Sequence, residues 1–248
     1  MVDLDGKAVI LTGASSGIGA ALATALSHRG ARLTLAARRV ERLQAVAEKC
    51  AGEICILAAD LTREDDRKRI VGRTLDRWGR VDILVNNAGL GIYGDFLSAT
   101  EADWRRIFEV NLFAMVFMTR EVLPHMQSQG GGIVVNMASI GGLIAHSDKV
   151  TPYVASKHAV VGFSRGLAKD LAGTPIRVLA VCPHLTDTEF FIASPGAREM
   201  APVIDQYRSF MDSPEDVARG ILEQLDSSRL VVFPTGKPAK AFEKQRDV

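Results

Sequence analysis

Residues 8–19 read Ala8-Val9-Ile10-Leu11-Thr12-Gly13-Ala14-Ser15-Ser16-Gly17-Ile18-Gly19, an apolar run that breaks into a glycine-rich turn and opens a helical pattern. Ala8 to Leu11 predicts a buried strand, and the amphipathic stretch from Gly17 to about Arg29 predicts the helix after it. Gly13, Gly17 and Gly19 let a backbone approach a pyrophosphate and aim the first amides of the helix at it. With Ser15, Ser16 and Ile18 between them, they form a candidate dinucleotide cradle. The spacing is G-x-x-x-G-x-G rather than the commoner G-x-G-x-x-G, and a plain glycine-rich turn is the alternative.

The same rhythm continues along the chain. Leu33 to Ala36, Ile54 to Ala58, Val81 to Val85, Ile133 to Met137, Ile176 to Cys182 and Leu230 to Phe233 are short, mostly apolar strand candidates separated by longer helical patterns. Runs apolar on both faces suit a parallel sheet covered by helices on each side. Right-handed crossovers then favour an α/β, doubly wound arrangement, and the βα alternation with the loop at Gly13 to Gly19 predicts a seven-stranded parallel sheet of order 3-2-1-4-5-6-7. Helix starts agree with this. Thr100 with Asp103 opens the Trp104 to Met126 segment, and Ser213, Pro214 and Asp216 stand as N-cap, N1 and N3 of the last helix. The longest irregular stretch is expected from about Pro183 to Asp212, a length usually tied to function or mobility.

Composition bounds the partners. A chain of 248 residues, 47% of them apolar, is long enough for one domain over residues 1–248. A net charge of +1 offers no basic field for nucleic acid, and no apolar run approaches the roughly 20 residues that cross a bilayer. Met1-Val2-Asp3-Leu4-Asp5 lacks a basic leader region, so a cytoplasmic protein is expected. Cys50, Cys55 and Cys182 are odd in number without zinc-like spacing and read as buried reduced thiols, with no metal implied.

Four further motifs follow in order. Asn86-Asn87-Ala88-Gly89 comes after Val81 to Val85, Asn111 lies in a helical stretch, Ser139 lies beyond the fifth strand, and Tyr153 precedes Lys157 by four residues. Together with Thr12-Gly13-x-x-x-Gly17-Ile18-Gly19, they make the chain resemble the compact short-chain dehydrogenases/reductases over nearly its whole length. The resemblance implies a Rossmann-type fold and an enzyme that interconverts a small-molecule carbonyl and its alcohol by hydride transfer. It implies Asn111, Ser139, Tyr153 and Lys157 as the catalytic set, with Asn111 positioning a water that links Lys157 to solvent. It also implies that the cofactor lies on the glycine loop, with Asp60 and Leu61 beside the adenine and Asn87 near the adjoining ribose. Tyr153 and Lys157 would reach the nicotinamide end, where Thr188 matches a threonine of the family. The family's Pro-Gly is here Pro183-His184, and that side chain has three open outcomes: crowding the nicotinamide, pointing into the substrate pocket, or turning outward. The other histidines, His28, His125, His146 and His158, show no ligand-like spacing.

The residues carry their own chemistry. Pro152 suits a helix start, so Tyr153 and Lys157 share one helical face. There the ammonium is expected to favour phenolate and lower the phenol's pKa, while Ser139 holds a developing alkoxide. Leu33-Thr34-Leu35-Ala36-Ala37-Arg38-Arg39 has no carboxylate at the end of the second strand and two guanidiniums after it. This predicts NADP(H) over NAD(H), the alternative being that Arg38 and Arg39 merely solvate the next helix. Phe190, Phe191, Ile192, Met200, Val203, Ile204, Phe210 and Met211 make residues 184–212 read as a lid over an apolar substrate pocket. Leu90, Ile92, Tyr93 and Leu143 are further wall candidates, and a loop packed on its own core is the alternative. Leu112 to Leu123, apolar nearly all round, and Gly162 with Gly166 fit pairing into a homodimer or homotetramer, against burial within one chain. Pro124 is expected to kink or end the first of these helices. The rival functions are a non-catalytic dinucleotide sensor or interaction protein on the same fold, and an epimerase or dehydratase of the extended relatives.

Overall fold

The computed structural model describes residues 1–145, 148–191 and 194–245, without the side chains of residues 199, 200, 203, 204, 244 and 245. The expectations placed on His146, Ile192 and the side chains of Met200, Val203 and Ile204 therefore lie outside the described residues. The chain runs β1 (Ala8–Thr12), α1 (Gly17–Ser27), β2 (Arg32–Ala37), α2 (Val40–Ala47), β3 (Ile54–Ala58), α3 (Glu64–Trp78) and β4 (Ile83–Asn86). It continues α4 (Glu101–Phe108), α5 (Ala114–Ser128), β5 (Gly132–Met137), α6 (Thr151–Asp170) and β6 (Ile176–Val181). Last come α7 (Ala197–Tyr207), α8 (Pro214–Glu223), β7 (Val231–Val232) and α9 (Gly236–Gln245).

The strands form one parallel sheet of order β3-β2-β1-β4-β5-β6-β7, the order expected. Alternation along β1 shows how it is held. Val9 and Leu11 join Leu33, Leu35, Leu22, Leu26 and Ile221 on one face, while Ile10 joins Leu84, Val134, Ile70, Met118 and Val122 on the other. Both faces are buried, so a strand with no polar side is stable only at this depth. Because β1 has β2 on one side and β4 on the other, a crevice opens beyond their carboxyl ends, where chain direction around the sheet reverses.

The helices depart locally from the expected pattern. Thr100 caps α4 as expected, its Oγ1 accepting from the Asp103 N–H at 3.2 Å while its own N–H donates to Asp103 Oδ2 at 3.0 Å. The expected single helix is nevertheless interrupted by a π-helical turn, Glu109–Phe113, which carries Asn111. Pro124 lies inside α5 and does not end it. The stretch from Pro183 to Asp212, expected to be irregular, contains α7 and a 3-10 turn at Arg208–Phe210. Its ends are pinned together, the Asp212 N–H donating to Leu185 O at 2.9 Å and the Asp187 N–H to Asp212 O at 3.0 Å. Gly196 enters α7 at φ +77°, where a Cβ would collide with Tyr93 O, so both backbone and space require glycine. No described helix is long and apolar enough to cross a membrane.

Candidate active site

The crevice at the ends of β1 and β4 is a cavity of about 430 Å³. Gly13, Ser15, Ser16, Gly17, Ile18 and Gly19 line it from the β1–α1 side. Gly13 and Gly17 take left-handed φ angles of +64° and +56°. A Cβ on Gly13 would lie 2.7 Å from Ala88 Cα, and one on Gly19 would collide with Gly13 O, so the loop is closed tightly enough to exclude side chains. What remains is a backbone cradle at the N-terminus of α1, where unbonded amides and the helix dipole favour a polyphosphate.

The loop after β4 is tied to this cradle. Thr12 Oγ1 accepts from the N–H groups of Asn87 at 3.0 Å and Ala88 at 3.2 Å and donates to Val85 O at 3.2 Å. Asn87 Nδ2 donates to Thr12 O at 3.1 Å and Gly13 O at 3.0 Å, so Asn87 stiffens the cradle from behind while lining the cavity. Asp60 and Leu61, after β3, line the same cavity, and Thr188 closes over the loop, where a Cβ on Gly17 would lie 3.0 Å from Thr188 Cγ2.

Ser139, Tyr153 and Lys157 reach the cavity from the other side. Pro152 sits in the first turn of α6, and the shared face of Tyr153 and Lys157 turns inward. Lys157 is buried, its ammonium donating to Met137 O at 2.7 Å and standing 5.7 Å from the Tyr153 ring centroid. Ser139 ends the strand-to-turn passage after β5, its Oγ accepting from the Gly141 N–H at 3.1 Å. Electrostatics correct the expected phenolate. Loss of water pushes the Tyr153 phenol up to about 12, the Ser139 hydroxyl pulling only partly the other way. Burial likewise pushes the Lys157 ammonium down to about 8. Lys157 makes its short contact to the Met137 carbonyl, and desolvation is the largest influence on both groups.

Asn111 is buried behind the cavity and does not line it. Its Oδ1 accepts from the Leu90 N–H at 2.8 Å, and its Nδ2 donates to Leu90 O and Ser156 Oγ, each at 2.9 Å. Ser156 Oγ then donates to Tyr153 O at 2.7 Å, so the π-turn fixes both the loop after β4 and the start of α6. A second buried chain runs from Thr119 and Asn86 to Asn136 and Ser164, with Asn86 Nδ2 donating to Thr119 Oγ1 and Asn136 Oδ1 at 2.9 Å. Sequence reading passed over Ser156, Asn136 and Ser164. Asparagine inside an apolar strand was the available signal, since it is unfavoured there without a partner.

At the outer end of the cavity, Arg38 and Arg39 line the opening after β2. Arg39 Nη2 donates to Ser15 Oγ at 3.3 Å and Ser16 Oγ at 3.1 Å, and Glu189, unmarked in sequence, pairs with both Arg39 and Arg42. His184 is half-buried and is among the residues that line the cavity. Leu90, Tyr93, Phe190 and Phe191 form apolar wall as expected, joined by Val150 and Val154. Phe190 meets the Tyr153 ring edge-on at 5.7 Å. Ile92 and Leu143 do not line the cavity: Ile92 is buried and Leu143 packs on the cluster of Val160 and Val161. Phe210 is exposed and Met211 buried, both away from the opening. Cys182 is buried with its thiol pushed up to about 12 by burial, while Cys50 and Cys55 are only half-buried.

The family model for short chain dehydrogenase matches residues 7–197. The 3-oxoacyl-(acyl-carrier-protein) reductase FabG of Thermotoga maritima is 34% identical over 223 residues, covering 88% of this chain and 90% of its own. Among solved structures, levodione reductase superposes with a TM-score of 0.86 at 28% identity, covering 95% of this chain and 99% of its own. A 7α-hydroxysteroid dehydrogenase in complex with NADH and 7-oxo glycochenodeoxycholic acid gives 0.83 at 27% identity, covering 93% of each chain. With the sheet order and the ordered motifs already described, these matches show that the chain belongs to the short-chain dehydrogenase/reductase family of oxidoreductases.

Proposed function

We propose that the protein is an NADP(H)-dependent oxidoreductase interconverting an apolar carbonyl compound and its alcohol, with Tyr153 as general acid and base. The observation that carries this reading is the meeting of Ser139, Tyr153 and Lys157 with the glycine cradle in one cavity. The cradle fits a dinucleotide because side chains are excluded where a pyrophosphate would lie. Gly13, Ser15, Ser16, Gly17, Ile18 and Gly19 would hold the phosphates, Asp60, Leu61 and Asn87 the adenosine half, and Tyr153, Lys157 and Thr188 the nicotinamide half. When bound, the nicotinamide supplies a hydride to carbon or accepts one from it.

The protein's share is the proton and the place. A phenol raised to about 12 is protonated at neutral pH and able to give its proton to a developing alkoxide. Ser139 Oγ holds the same oxygen, and the Lys157 ammonium favours release of the proton by stabilising the negative charge left on Tyr153. Asn111 positions the loop after β4 and, through Ser156, the start of α6. A Cβ on Gly89 would lie 3.5 Å from Asn111 Oδ1 and 3.7 Å from Lys157 Nζ, so this glycine keeps open the space a water relay between them needs. The aromatic wall supports an apolar substrate, and the exposed Arg38 beside Arg39 supports the 2′-phosphate. Exposed, stacked Phe113 and Phe117, with open space above Gly162 and Gly166, support a homodimer or homotetramer. Residues 1–248 are read as one domain with residues 184–212 as its substrate cover. Unbridged Cys50, Cys55 and Cys182 support a cytoplasmic setting. A dinucleotide sensor would have no use for a buried Lys157 beside Tyr153.

A panel of ketones and alcohols, followed by nicotinamide absorbance with NADPH and NADH in parallel, tests this. Turnover of apolar ketones, better with NADPH, is expected. Tight dinucleotide binding without turnover of any carbonyl or alcohol would overturn it.

A further inference from the structure

We infer that Glu189 is a cofactor-selecting residue, its carboxylate competing with the 2′-phosphate of NADP(H) for the guanidiniums of Arg39 and Arg42. The inference rests on the reading that the arginines after β2 receive that phosphate. Glu189 follows Thr188 in the segment after β6, whereas Arg39 and Arg42 belong to the turn into α2 and its first residues. These distant parts of the chain meet across the mouth of the cavity, with Glu189 Oε2 on Arg42 Nη1 and 3.7 Å from Arg39 Nη1. Arg39 is at the same time held over the cradle by Ser15 and Ser16. Arg38, Arg39, Ser15, Ser16 and Glu189 all line the one cavity, so a phosphate entering there meets the carboxylate.

The chemistry of the three groups sets the direction of the effect. A guanidinium donates to carboxylate or phosphate oxygens through the same fork of N–H groups, so the two anions compete for it. The side chains of Arg39, Arg42 and Glu189 are 43%, 45% and 49% exposed, and exposed ion pairs are weak enough for a dianion to displace the carboxylate. A carboxylate left close by still repels that dianion. NAD(H) brings no phosphate there, and its ribose hydroxyls are donors that a carboxylate accepts from. Glu189 therefore supplies, from the other side of the cavity, the acidic group that β2 lacks. It narrows the preference for NADP(H) that Arg38 and Arg39 set.

Glu189→Gln keeps the shape and removes the charge. Binding of NADPH, NADH, 2′-AMP and 5′-AMP to wild type and variant, measured by calorimetry, reads the effect without turnover. NADPH and 2′-AMP are expected to bind about five- to tenfold more tightly to the variant, with NADH and 5′-AMP unchanged or weaker, and the gain is expected to shrink in roughly 1 M salt. Equal changes for all four ligands, or none, would overturn the inference. A wild type that prefers NADH, with a selective gain for 2′-AMP in the variant, would overturn the cofactor preference and still support the role of Glu189. A wild type that prefers NADPH without that gain would do the reverse.

Discussion

Replacing Lys157 with methionine separates the cost of a buried charge from its use. Lys157 is 5% exposed, and burial lowers its ammonium from 10.5 to about 8. Well below pH 8, folded and unfolded chains both carry this proton. Between about 8 and 10.5 the unfolded chain binds more protons, so this group's contribution to stability rises with pH through that window. The full swing is about 3 kcal/mol, of which about 2 kcal/mol falls between roughly pH 7 and pH 9.5. Tyr153 and Cys182, both raised to about 12, act in the opposite direction at alkaline pH because their folded forms keep protons longer. Subtracting the stability of Lys157→Met from that of wild type at each pH removes the Tyr153 contribution and the part of the Cys182 contribution set by burial, leaving only its smaller coupling to Lys157. Urea unfolding across this range is expected to show the difference moving toward wild type by about 2 kcal/mol, while the variant turns over no substrate at any pH. A difference flat with pH would refute the reasoning, since the charge would then be held in the fold without cost.

Arg38→Ala is expected to weaken NADPH binding about tenfold or more and leave NADH little changed, from the roughly 1.5 to 3 kcal/mol of a charge-assisted contact. Equal loss for both cofactors in a fluorescence titration would remove Arg38 from the phosphate site. Gly19→Ala places a methyl against Gly13 O and 2.6 Å from Asn87 Nδ2, so the cradle must shift. A lower melting temperature and loss of dinucleotide affinity are expected together, and unchanged affinity would show that the cofactor does not lie on this loop.

Fold and site were legible to different depths. Ala8 to Leu11 and the glycine turn after it announce β1, α1 and the cradle, because strand burial and backbone approach are local demands that local sequence must meet. Ser139, Tyr153 and Lys157 were legible through the family resemblance, and the shared helix face of Tyr153 and Lys157 through their four-residue spacing. The π-turn at Asn111 was not, because its helix carries no local breaker and the turn is held by partners at Leu90 and Ser156. The helix Ala197–Tyr207 was hidden by Pro202 and by a start at Gly196 that depends on contact with Tyr93. Glu189 was missed because only tertiary structure brings it to Arg39 and Arg42. The Tyr153 phenol was misjudged because spacing shows that an ammonium is near but not how much water both groups have lost.

The central claim is that Tyr153 moves the proton, and Tyr153→Phe tests it most directly, since it removes one hydroxyl and keeps the ring against Phe190. Steady-state turnover of an accepted ketone, with NADPH affinity measured on the same protein, is expected to fall about 10²- to 10⁴-fold or more while affinity changes little. Near-normal turnover in the variant would contradict the account.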